Sequence, residues 1–287
     1  KDKCLPVRLN SAITAASMLS HPGTKQILKG TVKVLVSIYL KLTEETDSEE
    51  LVESLQIVIE HFKEEIAEFI VQLSDYLIKY LLKLIQREKD DDEPIDTSSL
   101  ISNLITTFVD IIRYFVNNTQ LYPQIEQHIE VILKHCLHDN IYDRIDDGLD
   151  VIEEVLKTCM NVPLKMWEHF PTIINSFIGT DKEQAELKKE FPDQLYEGFG
   201  NESLTEISKL ICIYISKDPE TFMTCADAQG KTYFTYAMKY VERIFALAEV
   251  NNSYINSKKA FNILVAILNA LRGKVDTVHI EICKLLI

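Results

Sequence analysis

Apolar side chains recur at steps of three and four residues along most of the chain, which is the period of one buried helical face. In segment 24–42, for example, Ile27, Val34, Leu35, Ile38 and Leu42 fall on one predicted buried face. The pattern predicts helices at Pro6–Leu19, 24–42, Leu51–Phe62, Ile66–Ile85, Leu100–Val116, Leu121–Leu137, Ile141–Met160, Pro163–Ile178, Pro192–Ser216, Lys231–Glu249, Tyr254–Leu271 and from Thr277 onward.

These predicted helices fall into pairs with regularly spaced starts. The pairs begin near Pro6, Asp47, Thr97, Asn140 and Pro192, a spacing of 41 to 52 residues. Repeats of roughly 40–47 residues are typical of HEAT and armadillo units, which bury their apolar faces only by stacking on neighbours. The sequence therefore predicts an all-α fold, a right-handed α-solenoid of HEAT-type antiparallel helix pairs, with residues 1–287 as a single solenoid segment.

The composition agrees with a helical, acidic protein. Only 8 glycines and 8 prolines occur in 287 residues, too few for the frequent turns of a sheet protein. The net charge of −14 repels nucleic-acid phosphates and anionic lipid and favours basic protein partners. The alternative is that the charge only reflects an ordinary acidic protein. We expect no direct nucleic-acid partner and no membrane partner.

The cysteines and the chain ends indicate the kind of protein from which this sequence comes. Six cysteines are scattered without close pairs, which favours free thiols in a reducing compartment over a disulfide framework: Cys4, Cys136, Cys159, Cys212, Cys225 and Cys283. No run of about 18 apolar residues could span a bilayer. The sequence begins at Lys1 without Met and ends on apolar residues. We interpret it as a fragment of a longer protein.

An acidic loop is predicted at about 87–98, and a charged linker with some helix at about 180–191. The loop contains Asp90, Asp91, Asp92 and Glu93 next to Pro94. One interpretation is a solvated connection between repeats. The other is an anionic strap for Arg- and Lys-rich cargo, since complementary charge speeds association with basic partners and selects for them.

A second acidic set lies on the predicted helix that begins at Ile141. Asp143, Asp146, Asp147 and Asp150 are three or four residues apart and therefore share one face, on which like charges destabilise the helix. Arg144 is predicted not to face them. An outside basic partner is therefore the hypothesis for these four aspartates. Asp139, Glu153 and Glu154 flank the same set.

The sequence gives little support for catalysis or metal binding. His128, His135 and His138 share one predicted helix with Cys136, but a zinc site needs three or four converging ligands, and a polar helix face explains the histidines better. No catalytic fingerprint or Gly-rich nucleotide loop is present, so we predict neither an enzyme nor a cofactor. Trp167 is either an exposed binding anchor or, in the interpretation its helical spacing favours, part of the core.

Several stretches occur in the order found in one family of repeat proteins. They are 5–8, 42–47, 51–62, 64–69 continuing to 84–86, 121–126, 149–156, 166–171, and Tyr214 with 221–222. On these stretches the chain resembles the importin-β superfamily of nuclear transport receptors and is most similar to the importin seven/eight branch. Two positions depart from the pattern: Glu68 stands where the superfamily usually has proline, and Ile213 where it tends to have asparagine.

The resemblance implies a receptor segment that carries basic protein cargo, of the ribosomal-protein or histone type, into the nucleus. It also implies Ran GTPase and Phe-Gly nucleoporins as partners of the full-length receptor, which shuttles between cytoplasm and nucleus. Cargo contacts would involve Asp90–Glu93 and the aspartates Asp143, Asp146, Asp147 and Asp150. The alternative is a generic HEAT-repeat scaffold or adaptor subunit of another complex.

Overall fold

The computed structural model describes residues 3–90, 97–116, 121–139, 141–190, 202–251 and 254–273. Within these ranges regular structure is helical, apart from one isolated bridge between Ala226 and Thr232. The α-helices are α1 (Leu5–Ser17), α2 (Pro22–Leu28), α3 (Val32–Thr46), α4 (Glu49–His61), α5 (Lys63–Ile66), α6 (Ile70–Asp90), α7 (Ser98–Phe115), α8 (Tyr122–Lys134), α9 (Ile141–Thr158), α10 (Leu164–Ile178), α11 (Asp181–Glu190), α12 (Leu204–Lys217), α13 (Pro219–Thr224), α14 (Tyr233–Asn251) and α15 (Tyr254–Ala270). The prediction of an all-α fold is confirmed.

The chain forms two compact units, Lys1–Ile132 and Leu133–Ile287. In the first unit α1, α4 and α7 pack in succession, while α3 packs against α4 and α6 against α7. In the second unit α9, α12 and α15 pack in succession, and α10 packs against α14. Within each unit a helix of one pair thus stacks on the equivalent helix of the next pair. This is the solenoid arrangement that the repeat spacing predicts.

Buried tyrosine hydroxyls join neighbouring helices to one another. The Tyr39 hydroxyl of α3 donates to the Ala12 carbonyl at 2.5 Å, and the Tyr214 hydroxyl of α12 donates to the Met166 carbonyl at 2.8 Å. Burial raises the pKa of Tyr39 to about 12, opposed by a backbone hydrogen bond. Each ring contributes apolar area to the core while its hydroxyl finds the partner that a buried polar group requires.

The buried face predicted for segment 24–42 is wrong at three positions. Ile27 is 80% exposed, and Val34 and Ile38 are exposed as well. A 3₁₀ turn, Lys29–Thr31, divides the segment into α2 and α3, and α3 instead buries Val32, Val36 and Tyr39. The Tyr39–Ala12 hydrogen bond fixes the rotation of α3 about its axis, a long-range constraint that local periodicity does not contain.

One predicted connection differs from the structure, and a second is more helical than predicted. Helix α6 continues through 87–90, which the sequence assigned to the acidic loop, and Arg87 is held there by an ion pair with Asp47 at 2.7 Å. Residues 181–190 of the predicted linker form α11, which begins with a capping box: the Thr180 N–H donates to Glu183 Oε2 at 2.7 Å, and the Glu183 N–H donates to Thr180 Oγ1 at 3.2 Å.

The remaining predicted elements are partly outside the described residues. Residues 91–96 of the acidic loop, 191–201 at the start of the predicted Pro192–Ser216 helix, and the helix from Thr277 onward lie there. The described part of the Pro192–Ser216 prediction is α12, Leu204–Lys217. Among the described helices, none is both long and apolar enough to cross a membrane.

Candidate functional site

The four aspartates predicted on one face of α9 do lie together. Asp143, Asp146 and Asp150 are exposed, and Asp147 is half-buried. At a rise of about 1.5 Å per residue, the set extends about 10 Å along the helix axis. We call these four residues the α9 acidic face.

The opposite side of α9 is fixed by packing. Leu149, Ile152 and Val155 are fully buried, and Gly148 faces the π-helical turn His135–Asp139. A Cβ at Gly148 would stand 2.9 Å from Leu137 Cδ2 and 3.0 Å from Cys136 Cβ, so the two segments approach more closely than a side chain allows. This contact holds α9 with its acidic face outward.

Asp147 is partly neutralised from within the helix. The Arg144 side chain is buried, with 4% of its surface exposed, and its Nη1 lies 3.6 Å from Asp147 Oδ2. The prediction that Arg144 does not face the aspartates is therefore wrong. A separation of three residues places two helical side chains on the same side of the helix. The long arginine side chain therefore brings its guanidinium to the Asp147 carboxylate.

Asp146 also has a partner that the sequence did not indicate. The Ser203 hydroxyl, just before α12, donates a hydrogen bond to Asp146 Oδ1. The two residues are 57 positions apart, and only the packing of α12 on α9 brings them together. No local pattern in the sequence could have found Ser203.

Asp143 and Asp150 are different, because neither has a hydrogen-bond or ion-pair partner within the part of the chain that the structure describes. Burial raises the pKa of Asp150, and the negative charges of Glu153, Asp147 and Asp146 raise it further, against the opposing effect of Lys157. The other carboxylates of the α9 acidic face therefore repel the negative charge of Asp150.

Glu153 and Glu154 lie about one turn further along α9 than Asp150. Both are buried, and Glu153 pairs with Lys157 on the same helix and with Lys209 of α12, the latter at 2.5 Å. Burial opposes ionisation of Glu153, but the hydrogen bonds from the two lysines outweigh it and lower the pKa. Glu153 therefore links α9 to α12 through Lys209.

The other predicted cargo residues are those of the acidic loop. Asp90 is the last residue of α6, and Asp91, Asp92 and Glu93 lie outside the described residues. The strap interpretation of Asp90–Glu93 therefore stays a prediction.

The histidines do not converge on one point. His128 Nε2 lies 3.0 Å from Asp75 Oδ1, while the ring of His138 lies 6.0 Å from that of His169. Across the described ranges, no group of three or more metal-ligating side chains occurs. Trp167 is 2% exposed, and its ring stacks on Tyr233 with centroids 4.7 Å apart, so the core interpretation of Trp167 is confirmed.

Comparison with known proteins was made over the whole sequence. The chain is 20% identical over 289 residues to "Probable importin-7 homolog" of Dictyostelium discoideum, a match that covers 99% of this chain and 24% of that protein. It is 22% identical over 175 residues to "Importin beta-like SAD2 homolog" of Arabidopsis thaliana, covering 61% of this chain and 17% of the relative. It is 20% identical over 227 residues to "Importin-8" of Homo sapiens, covering 79% of this chain and 20% of the relative.

The chain is importin-like. The resemblance to the importin-β superfamily and its importin seven/eight branch is thereby confirmed. This importin-like chain spans about a quarter or less of the length of the curated relatives it matches. No family model matches it, and no solved structure matches at a significant level.

Proposed function

We propose that this chain is a segment of a nuclear transport receptor that binds basic protein cargo on the α9 acidic face. Cargo of the ribosomal-protein or histone type carries the Lys and Arg residues that such a face attracts. The full-length receptor would work under control of the Ran GTPase, contact Phe-Gly nucleoporins, and shuttle between cytoplasm and nucleus. The segment would act by binding alone, without covalent chemistry.

The observation that carries this proposal is the state of Asp143 and Asp150. Both are exposed carboxylates on one helix face, and neither forms an ion pair or a hydrogen bond within the described residues, although the charge of Lys157 acts on Asp150. Like charges at helical spacing destabilise the helix that bears them. A basic partner would remove this repulsion on binding, whereas a purely structural acidic face would be expected to carry its own cations, as Glu153 does.

Binding of a fluorescein-labelled peptide of mixed lysine and arginine tests the proposal. We expect Asp143→Asn with Asp150→Asn to weaken its affinity by about tenfold at low salt, because each lost contact with a partially desolvated charge contributes roughly 0.5–1 kcal/mol. Glu242→Gln with Glu249→Gln is the matched control: it removes two exposed charges from α14 and should change the affinity by less than about twofold. Equal effects of the two pairs would contradict a role for the α9 acidic face.

A second experiment distinguishes a transport receptor from the alternative, a HEAT-repeat scaffold of another complex. A pull-down of the full-length protein with GTP-loaded Ran and with Phe-Gly repeats would retain both partners if the protein is a transport receptor. Retention of neither would favour the scaffold.

A further inference from the structure

An open groove of about 830 Å³ lies in the first unit, between the segment that runs from α5 into α6 and residues near the end of α7 and the start of α8. One wall comes from α5, the 3₁₀ turn Ala67–Phe69 and the start of α6, with Lys63, Glu64 and Glu68. The other comes from the end of α7 and the start of α8, with Tyr114, Leu121 and Gln124. The groove is of the size that holds a side chain with its flanking backbone. Its lining combines an aromatic ring, aliphatic side chains and carboxylates.

A cation already occupies the aromatic wall. The Lys63 ammonium lies 3.5 Å from the centroid of the Tyr114 ring, close enough for a cation–π interaction. Burial raises the pKa of the Tyr114 hydroxyl, and the nearby Asp110 and Glu60 carboxylates raise it further, against the opposing effect of Arg113. The structure thus shows that this ring face is open to a cation and accepts one.

The facing wall carries excess negative charge. Glu64 and Glu68 are exposed, four residues apart, and neither forms an ion pair or hydrogen bond with the described residues. A neighbouring, smaller groove of about 300 Å³ also includes Glu68, but there Lys29 pairs with Glu65 at 3.1 Å and Lys33 lies 5.8 Å from the Phe69 ring. In the larger groove the two glutamates outnumber Lys63, although the charge of Lys29 also acts on Glu64.

We propose that the larger groove binds an arginine side chain of a basic polypeptide segment, which replaces Lys63 on the Tyr114 ring and is held by the Glu64 and Glu68 carboxylates. The proposal rests on the proposed function only for the class of partner. It adds a second contact site, in the first unit, and a preference for arginine within that class.

Arginine fits this lining better than lysine does. Its planar guanidinium stacks on an aromatic face and presents several N–H donors at once to carboxylates, whereas an ammonium is a compact and strongly hydrated charge. The aliphatic stem of arginine can lie along Leu121 and Ile70 while the charged end reaches the acids. Lys63 can move off the Tyr114 ring and keep its ammonium group in water, because its side chain is already partly exposed.

The test measures binding of a fluorescein-labelled peptide of alternating glycine and arginine to the full chain, with lysine and citrulline peptides of equal length beside it. We expect the arginine peptide to bind more tightly than the lysine peptide by about fivefold and the neutral citrulline peptide to bind weakly. Tyr114→Leu and Glu64→Gln with Glu68→Gln should each weaken arginine-peptide binding by about tenfold, while Tyr114→Phe, which keeps the ring, should bind like the wild type.

Two matched controls separate the groove from the general field of the protein. Glu49→Gln with Glu50→Gln removes the same charge from the exposed start of α4 and should have less than about twofold effect. Lys63→Met should strengthen arginine-peptide binding more than Lys79→Met, an equal loss of charge at an exposed position of α6. Circular dichroism confirms that each variant is folded.

The outcomes distinguish this inference from the proposed function. Arginine-peptide binding that is unchanged in the groove variants overturns the groove, and loss of mixed-peptide binding in Asp143→Asn with Asp150→Asn then still supports the α9 acidic face. Weakened binding in the groove variants alone supports the groove and contradicts the α9 acidic face. Equal affinity for the arginine and lysine peptides overturns the arginine preference.

Discussion

Tyr80 of α6 donates a 2.6 Å hydrogen bond to Asp47, the residue that ends α3 in a left-handed conformation with φ of 49°. Arg87, two turns further along α6, pairs with the other carboxylate oxygen of Asp47 at 2.7 Å. One residue therefore ends a helix and links it to the equivalent helix of the next pair. Asp47 also closes the stretch 42–47, one of those on which the importin resemblance rests.

Asp47→Ala should destabilise the chain by about 2–3 kcal/mol, because it leaves the buried Tyr80 hydroxyl without this acceptor and places a side chain that disfavours positive φ at the position. Asp47→Asn keeps an acceptor oxygen and tolerates the left-handed region, so it should cost less than about 1 kcal/mol. Urea denaturation followed by circular dichroism measures both. Equal losses would show that the hydrogen bond and the backbone conformation contribute little.

Gly148→Ala should destabilise the second unit by about 1–3 kcal/mol, although alanine favours helices, because the added Cβ would overlap Leu137 and Cys136. Gly30→Ala is the matched control: a Cβ there meets nothing within 4 Å. The stability of Gly30→Ala should equal or slightly exceed that of the wild type. Urea denaturation measures the free energy of unfolding of both variants. If Gly148→Ala is as stable as the wild type, the π-helical turn can shift to make room for the added Cβ.

Asp150→Asn should stabilise the second unit at neutral pH. A carboxyl whose folded pKa is raised above its ordinary value of 3.8 lowers stability as pH rises through that folded pKa. Removing the charge should therefore add about 0.5 kcal/mol at pH 7, a small gain because solvent screens an exposed group. The gain should shrink as pH falls through the raised folded pKa and should be nearly gone below 3.8, where both states of the wild type become protonated. Fluorescence of Trp167, the single tryptophan, reports the unfolding of this unit. A loss of stability at neutral pH would contradict the repulsion inferred on the α9 acidic face.

Glu153→Gln should behave in the opposite way, although it lies one turn from Asp150. The pKa of Glu153 is lowered from 4.5, so its pairing stabilises the fold above that value and is lost as pH falls through the lower folded pKa. We expect Glu153→Gln to cost about 1–2 kcal/mol at pH 7, with the gap to the wild type closing below pH 4.5. The same fluorescence measurement at both pH values checks it, and a gap that widens in acid would refute the pairing.

Helical periodicity and repeat spacing were sufficient to predict the all-α repeat fold, because both follow from local sequence. They also placed the four α9 aspartates on one face, since that depends only on 3.6 residues per turn. Other features depend on contacts between distant residues and left no local signal. Tyr39 sets which face α3 buries by bonding to Ala12, and Ser203 reaches Asp146 only through the packing of two helices. The Tyr114 groove likewise needs two segments that are about 50 positions apart in sequence.

The salt dependence of basic-peptide binding tests the central claim most directly. The affinity of the full chain for the labelled lysine–arginine peptide is measured over a series of salt concentrations, beside Asp143→Asn with Asp150→Asn and the Glu242→Gln with Glu249→Gln control. If the α9 acidic face binds basic cargo, the wild type and the control lose affinity steeply as salt screens the charges, and the aspartate variant loses less. An affinity that does not change with salt, or that falls equally in all three proteins, would contradict the account.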